Sequence, residues 1–159
     1  MKTKRIVLNA KEAEAVSAVI ENGISIADAI YPFVQPSYDE DAGVFTDHGQ
    51  NDTDRTWAGI HFRNLLQNLV IDQSWGSDNG SVQFRFLDIS IPALVQGLHR
   101  FYSDKNLQRG CLQRAAVNLW ESDGHYGSQT RDEFVEETIG RMAIDRKLGK
   151  ALCEKLNDL

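Results

Sequence analysis

Apolar positions recur at helical spacing along most of the chain and alternate only in short runs. The densest helical pattern spans 53–71, where Ala58, Phe62, Leu65, Leu66, Leu69 and Val70 fall on one stripe flanked by Trp57. Arg63, Asn64, Gln67 and Asn68 take the rest of the circumference. The spacing predicts a helix over 53–71, capped by Thr53 or Asp54, whose side-chain oxygens can accept from the unpaired N–H groups of a first turn. A helix with such a stripe is a core element.

The chain before it opens with a β-branched and aliphatic run over 4–8, read as a strand. Asn9 with Glu12 three residues on has the spacing of a capping box, and Ala13, Val16, Val19 and Ile20 continue as a narrow stripe up to Gly23, a suitable left-handed residue after a helix end. Ser25 with Asp28 predicts a second, short helix, which Pro32 and Pro36 cut off. Residues 37–54 hold two glycines and six acids with Val44 and Phe45 as the apolar tether, and read as a long surface loop. Loops of that length without structure of their own are uncommon in compact domains and often functional.

After the central helix, Asn79-Gly80 favours the positive φ angles of a hairpin turn, and 82–86 alternates apolar and polar residues as a half-buried strand does. Its partner is either 72–75 or the N-terminal strand. From Ser90 onward the pattern is helical. Ser90 and Pro92 open a helix carrying Leu94, Val95, Leu98, Phe101 and Tyr102, and another begins near Asp104 with Leu107, Cys111, Leu112, Ala115, Ala116 and Leu119 on one side. Thr130 and Glu133 form a second capping-box pair ahead of Phe134, Val135, Ile139 and Met142. Asp145 heads a last stripe of Leu148, Ala151, Leu152 and Leu156, unless 131–157 is one bent helix. The reading is a mostly helical α+β single domain over 1–159, with two or three short antiparallel strands packed on the 53–71 helix.

Composition narrows the function classes. Apolar residues at 42% and charged residues at 25% are ordinary for a globular chain. The apolar run after Lys2, Lys4 and Arg5 is too short for a signal peptide core or a membrane span. Cys111 and Cys153 stand far apart without a metal-binding spacing, which reads as two reduced core thiols in a cytoplasmic protein.

Charge supplies the anomaly. Between Glu12 and Asp54 stand ten acids (Glu12, Glu14, Glu21, Asp28, Asp39, Glu40, Asp41, Asp47, Asp52 and Asp54) and no lysine or arginine. The first eleven residues carry four positive charges, and the chain after Asp54 holds thirteen of each sign, so this segment makes the net charge of −6. Such a surface repels nucleic acid and anionic membrane and speeds encounter with a basic protein surface. Against this stands the ordinary use of acids to keep a surface soluble. The residues offered for partner binding are Asp39, Glu40, Asp41, Asp47, Asp52 and Asp54.

The other chemistries have less in the sequence. The acids of 39–54 with His48 offer oxygen ligands for calcium or magnesium, but their spacing is not that of an EF-hand. His48 and His125 fall in predicted loops, and Asp123 with His125 could form a base pair for hydrolysis, whereas His61 and His99 fall within helical patterns as packing residues. Asp132, Glu133, Glu136 and Glu137 suit a helix N-terminus rather than a di-iron site, since no Glu-x-x-His partner occurs. Arg100, Lys105, Arg109 and Arg114 are dispersed, and the basic run 141–150 reads as a solvated face. No motif calls for a cofactor or a resident metal. The expected function is therefore a non-enzymatic acidic binding protein that covers a basic, nucleic-acid-binding partner, as mobile-element inhibitors and toxin-immunity proteins do. The rival is a small metal-dependent hydrolase built on Asp47, His48, Asp52 and Asp54.

Overall fold

Leu8 hands the chain from strand to helix, and Asn9 makes the change possible. Its extended backbone and side chain form the expected capping box with Glu12, the Glu12 amide donating to Asn9 Oδ1 at 2.9 Å and the Asn9 amide to Glu12 Oε1 at 3.1 Å. The computed structural model describes residues 2–31, 37–46, 50–75, 80–122, 127 and 129–159, and along 37–39, 44–46, 50–56 and 75 the backbone alone. Among these residues are seven α-helices and five strands. In chain order they are β1 (Thr3–Leu8), α1 (Ala10–Glu21), α2 (Gly23–Ile30), β2 (Ser37–Asp39), β3 (Val44–Thr46), α3 (Gln50–Gln67), β4 (Val70–Trp75), β5 (Val82–Leu87), α4 (Ile91–Ser103), α5 (Lys105–Ser122), α6 (Arg131–Met142) and α7 (Arg146–Asn157). The molecule is a mostly helical α+β domain with a small antiparallel sheet, as the pattern predicts.

Both partners considered for the 82–86 strand are correct. β5 lies in the middle of the sheet, with β1 on one side and β4 on the other, both antiparallel. Val82, Phe84 and Phe86 point into the core while Gln83 and Arg85 remain half-buried, so the period-2 pattern sets which face of the sheet meets the helices.

The 53–71 element is corrected at both ends. α3 already runs at Gln50, so Thr53 and Asp54 lie within the helix and neither is its cap. It stops at Gln67 because the chain joins the sheet instead: the Leu87 amide donates to the Leu69 carbonyl at 2.8 Å, Val70 registers against Phe86 and Asp72 against Arg85, with Ile71 the extra residue at the irregularity between them. Phe62, Leu66 and Leu69 are buried as the stripe requires, each contributing about 1.5 to 3 kcal/mol. Ala58 and Leu65 are half-buried, and Trp57 is 65% exposed.

Residues 37–54 do not form one loop. A two-stranded ribbon, β2 with β3, turns through Gly43 at φ +67°, and the stretch ends inside α3. In its register Ser37, Tyr38 and Asp39 stand opposite Thr46, Phe45 and Val44. Gly23 is likewise not a left-handed cap; it is the first residue of α2, and a Cβ there would touch the Leu66 side chain at 3.5 Å. Helix α2 begins before Ser25, so Ser25 does not cap it.

In the helical half the helix starts at Asp104, Thr130 and Asp145 hold, Thr130 by its own side-chain bond, while Ala151 of the last stripe is exposed. Asp104, Thr130 and Asp145 accept from the amides of Leu107, Glu133 and Leu148 at 3.0, 3.2 and 2.7 Å. Ser90 precedes α4 without a side-chain capping bond, and its Oγ is buried with no partner among the described residues. The 131–157 stretch is two helices, because Ala143 is extended and Asp145 starts α7 afresh.

The helix shared by the others is α4. Leu94, Leu98 and Phe101 are fully buried, and α1, α2, α3, α5 and α7 all pack on it. Gly97 lets three of them come close: a Cβ there would lie 2.9 Å from Val19 Cγ1 and within 4 Å of Phe62 and Ile26. Gly149 does the same for α7, since a Cβ would penetrate the Tyr102 ring. One core runs from Ile6 and Leu8 in β1 through to Leu152 and Leu156 in α7.

Candidate functional site

The acidic segment is carried by four elements that treat their charges differently. Glu12 is 8% exposed; besides closing the capping box it takes Lys155 of α7 at 3.4 Å, so its charge serves the fold. Glu14 and Glu21 are two turns apart on α1 and therefore share a face. Both line a groove of about 580 Å³ between α1 and α5, whose bottom includes Ala13, Ala115, Leu119 and Met142. Asp28 is exposed on α2. Among the described residues no ion pair involves Glu14, Glu21, Asp28 or Glu40.

Three of the six predicted partner-binding residues come together at the ribbon. Asp39 ends β2, and Glu40 and Asp41 follow it into the turn, both exposed. Asp52 and Asp54 fall in the opening turns of α3, where acids complement the positive end of the helix dipole. Asp47 lies outside the described residues, as do His48, Asp123 and His125. What the sequence reading passed over is the pair Glu14 and Glu21, and the signal was available in their seven-residue spacing on a confidently patterned helix.

Other candidate chemistry resolves into structure. No group of three or more His, Cys, Asp or Glu side chains suited to a metal occurs among the described residues. His61 and His99 are exposed rather than partly buried, His99 standing edge-on to Tyr102 with ring centroids 5.2 Å apart. Asp132 and Glu133 occupy the first turn of α6, as their dipole role requires, while Glu136 binds Arg109. Arg100 pairs with Asp104 and Arg114 Nη1 donates to Ser25 Oγ at 2.6 Å, which fixes two of the dispersed cations locally. Both cysteines are free and buried. Burial pushes the Cys111 thiol up, with Arg114 opposing, and it pushes Cys153 up to about 11, so neither is a ready nucleophile at neutral pH.

Among the described residues no helix is long and apolar enough to cross a membrane. No family model matches the sequence, and neither a curated protein nor a solved structure matches it.

Proposed function

We propose that the chain is a binding protein whose 12–54 segment meets a basic surface of another protein and covers that partner's nucleic-acid site. The observation that carries the reading is the charge imbalance: ten acids with no lysine or arginine between them, and no ion pair among the described residues at Glu14, Glu21, Asp28 or Glu40. Acids that hold no structure together cost self-repulsion, and a basic partner relieves it. A partner that otherwise holds phosphates offers clustered lysines and arginines, and these find carboxylates here instead. A cytoplasmic setting belongs to this reading, supported by the two free, buried cysteines.

The test replaces Asp39, Glu40, Asp41, Asp47, Asp52 and Asp54 together by Asn or Gln and compares capture of partners with the wild type at low and high salt. The expected result is a basic protein retained by the wild type at low salt, released at high salt, and missed by the folded variant, because screening acts over a Debye length of about 8 to 10 Å. Equal capture by the variant at low salt refutes the reading. A second pair, Glu14→Gln with Glu21→Gln, reports whether the α1 groove belongs to the same surface.

A further inference from the structure

Away from the acidic segment, α4 ends at Tyr102 and Ser103, α5 opens at Lys105, and Ala143 and Ile144 join α6 to α7. These residues border a cleft of about 960 Å³. That volume lies within the range of small-molecule sites, roughly 300 to 1,000 Å³. The floor is apolar and built into the core, with Leu112, Ile139 and Ile144 at 1%, 7% and 5% exposure.

The rim carries the opposite sign from the acidic segment. Lys105, Arg109 and Arg146 line the cleft and are exposed. Arg109 is held by Glu136, whereas no ion pair among the described residues involves Lys105 or Arg146. Asp145 is the acid on the described lining, and its Oδ1 already accepts from the Leu148 amide. The first residues of both α5 and α7 stand on this rim, and since Asp104 and Asp145 already cap these helices, the positive potential of the rim comes from its lysine and arginine side chains.

Gln108 keeps the walls apart. Its Nε2 donates to the Phe101 carbonyl at 3.0 Å and its Oε1 accepts from the Ile144 amide at 2.9 Å, which ties the end of α4 and the α6–α7 joint to α5. The cleft is thus formed before any ligand arrives, and a preformed site loses less to ordering on binding.

We propose that this cleft binds a small organic anion, its ring or chain over Leu112, Ile139 and Ile144 and its carboxylate, phosphate or sulfonate group between Lys105 and Arg146. The proposal does not rest on the protein-binding reading, since it uses α4 to α7 and none of the 12–54 acids. The half-buried Tyr102 and Ala143 beside that floor supply the apolar surface a ligand covers, and the two cations without an ion pair select the charge.

The experiment titrates the full chain with three organic anions, adenosine 5′-monophosphate, 1-anilinonaphthalene-8-sulfonate and decanoate, beside inorganic phosphate and adenosine. Calorimetry reads affinity, and amide chemical shifts read location. At least one organic anion should bind tighter than about 1 mM, about ten-fold tighter than phosphate or adenosine, with shifts centred on 105–112 and 139–146. The Lys105→Gln/Arg146→Gln variant should keep the wild-type circular dichroism spectrum and Tm and lose about ten-fold in affinity, while Lys105→Arg retains it. If the double variant does not fold, the two single variants carry the same comparison. Failure of all three anions to bind overturns the proposal, as does binding that ignores the variants or phosphate binding as tightly as the organic anions.

Discussion

The segment 10–67 and the segment 91–157 contribute to the same core but use their polar residues in opposite ways. In the second, charges and amides fasten helices: Asp104 and Asp145 cap, Arg109 reaches Glu136, and Gln108 joins three elements. In the first, Glu12 is tied into the fold by an ion pair whose cation comes from α7, while Glu14, Glu21, Asp28 and Glu40 have none among the described residues. Burial is shared between the halves, then, while polar fastening is concentrated in the second. The difference teaches that Glu14, Glu21, Asp28 and Glu40 fasten nothing by an ion pair among the described residues, whereas the acids of the second segment cap helices and bridge them.

The comparison breaks first if the acidic segment is an appendage rather than part of the core. Leu66 is fully buried, so Leu66→Ala should cost about 2 to 5 kcal/mol in chemical denaturation. Leu65→Ala should cost clearly less, because that side chain is half-buried. A loss at Leu66 no larger than at a surface site would separate α3 from the core.

Three substitutions in the second segment sharpen it. Gln108→Ala strands the Phe101 carbonyl and the Ile144 amide, and should cost about 1 to 3 kcal/mol for the groups left unpaired. Gly149→Ala drives a methyl into the Tyr102 ring and should cost about 1 to 3 kcal/mol, with the added sign of weaker α4–α7 packing in Tyr102 amide exchange. Asp145→Ala removes a cap and should cost about 0.5 to 2 kcal/mol, read as a lowered Tm. The smallest effect belongs to the first segment: neutralising the exposed turn acids Glu40 and Asp41 should move stability by less than about 0.5 kcal/mol, in either direction, with Asp52 and Asp54 measured separately for their place in the opening turns of α3. A loss as large as that at Gln108 would show that these carboxylates fasten the fold after all.

What was legible in the sequence follows the range of the interactions involved. Asn9 with Glu12, Thr130 and Asp145 act within four residues, so their helix starts could be read directly. The alternation of 82–86 was readable because one face of β5 is buried along its length. The end of α3 was not, because Leu69 and Val70 continue a plausible apolar stripe and only the distant Leu87 and Phe86 pull them into the sheet. Gly23 looked like a helix end for the same reason: its close neighbour is Leu66, far along the chain. The ribbon left a fainter trace, Tyr38 and Val44-Phe45 around an Asp-Ala-Gly turn. The cleft over Leu112, Ile139 and Ile144 had none, since Lys105 and Arg146 are made neighbours by the packing of α5 against the α6–α7 joint. Local chemistry reaches one turn; sites assembled from four helices do not announce themselves in any single stretch.

The placement of β5 between β1 and β4 also sets an order of events in time. β4 and β5 are joined by a short connection and can pair as soon as both exist, whereas Leu8 must wait for Val82 and Thr3 for Leu87. Closing so large a loop is slow relative to a hairpin, and during synthesis the first strand leaves the ribosome long before its partner is made. Lys4 and Arg5 within that strand then act as gatekeepers, charges that discourage the waiting segment from pairing with other chains. Pulsed hydrogen exchange during refolding should find the β4–β5 amides protected before those that bond β1 to β5. The reverse order would mean that the helices between β1 and β5 bring those two strands together first.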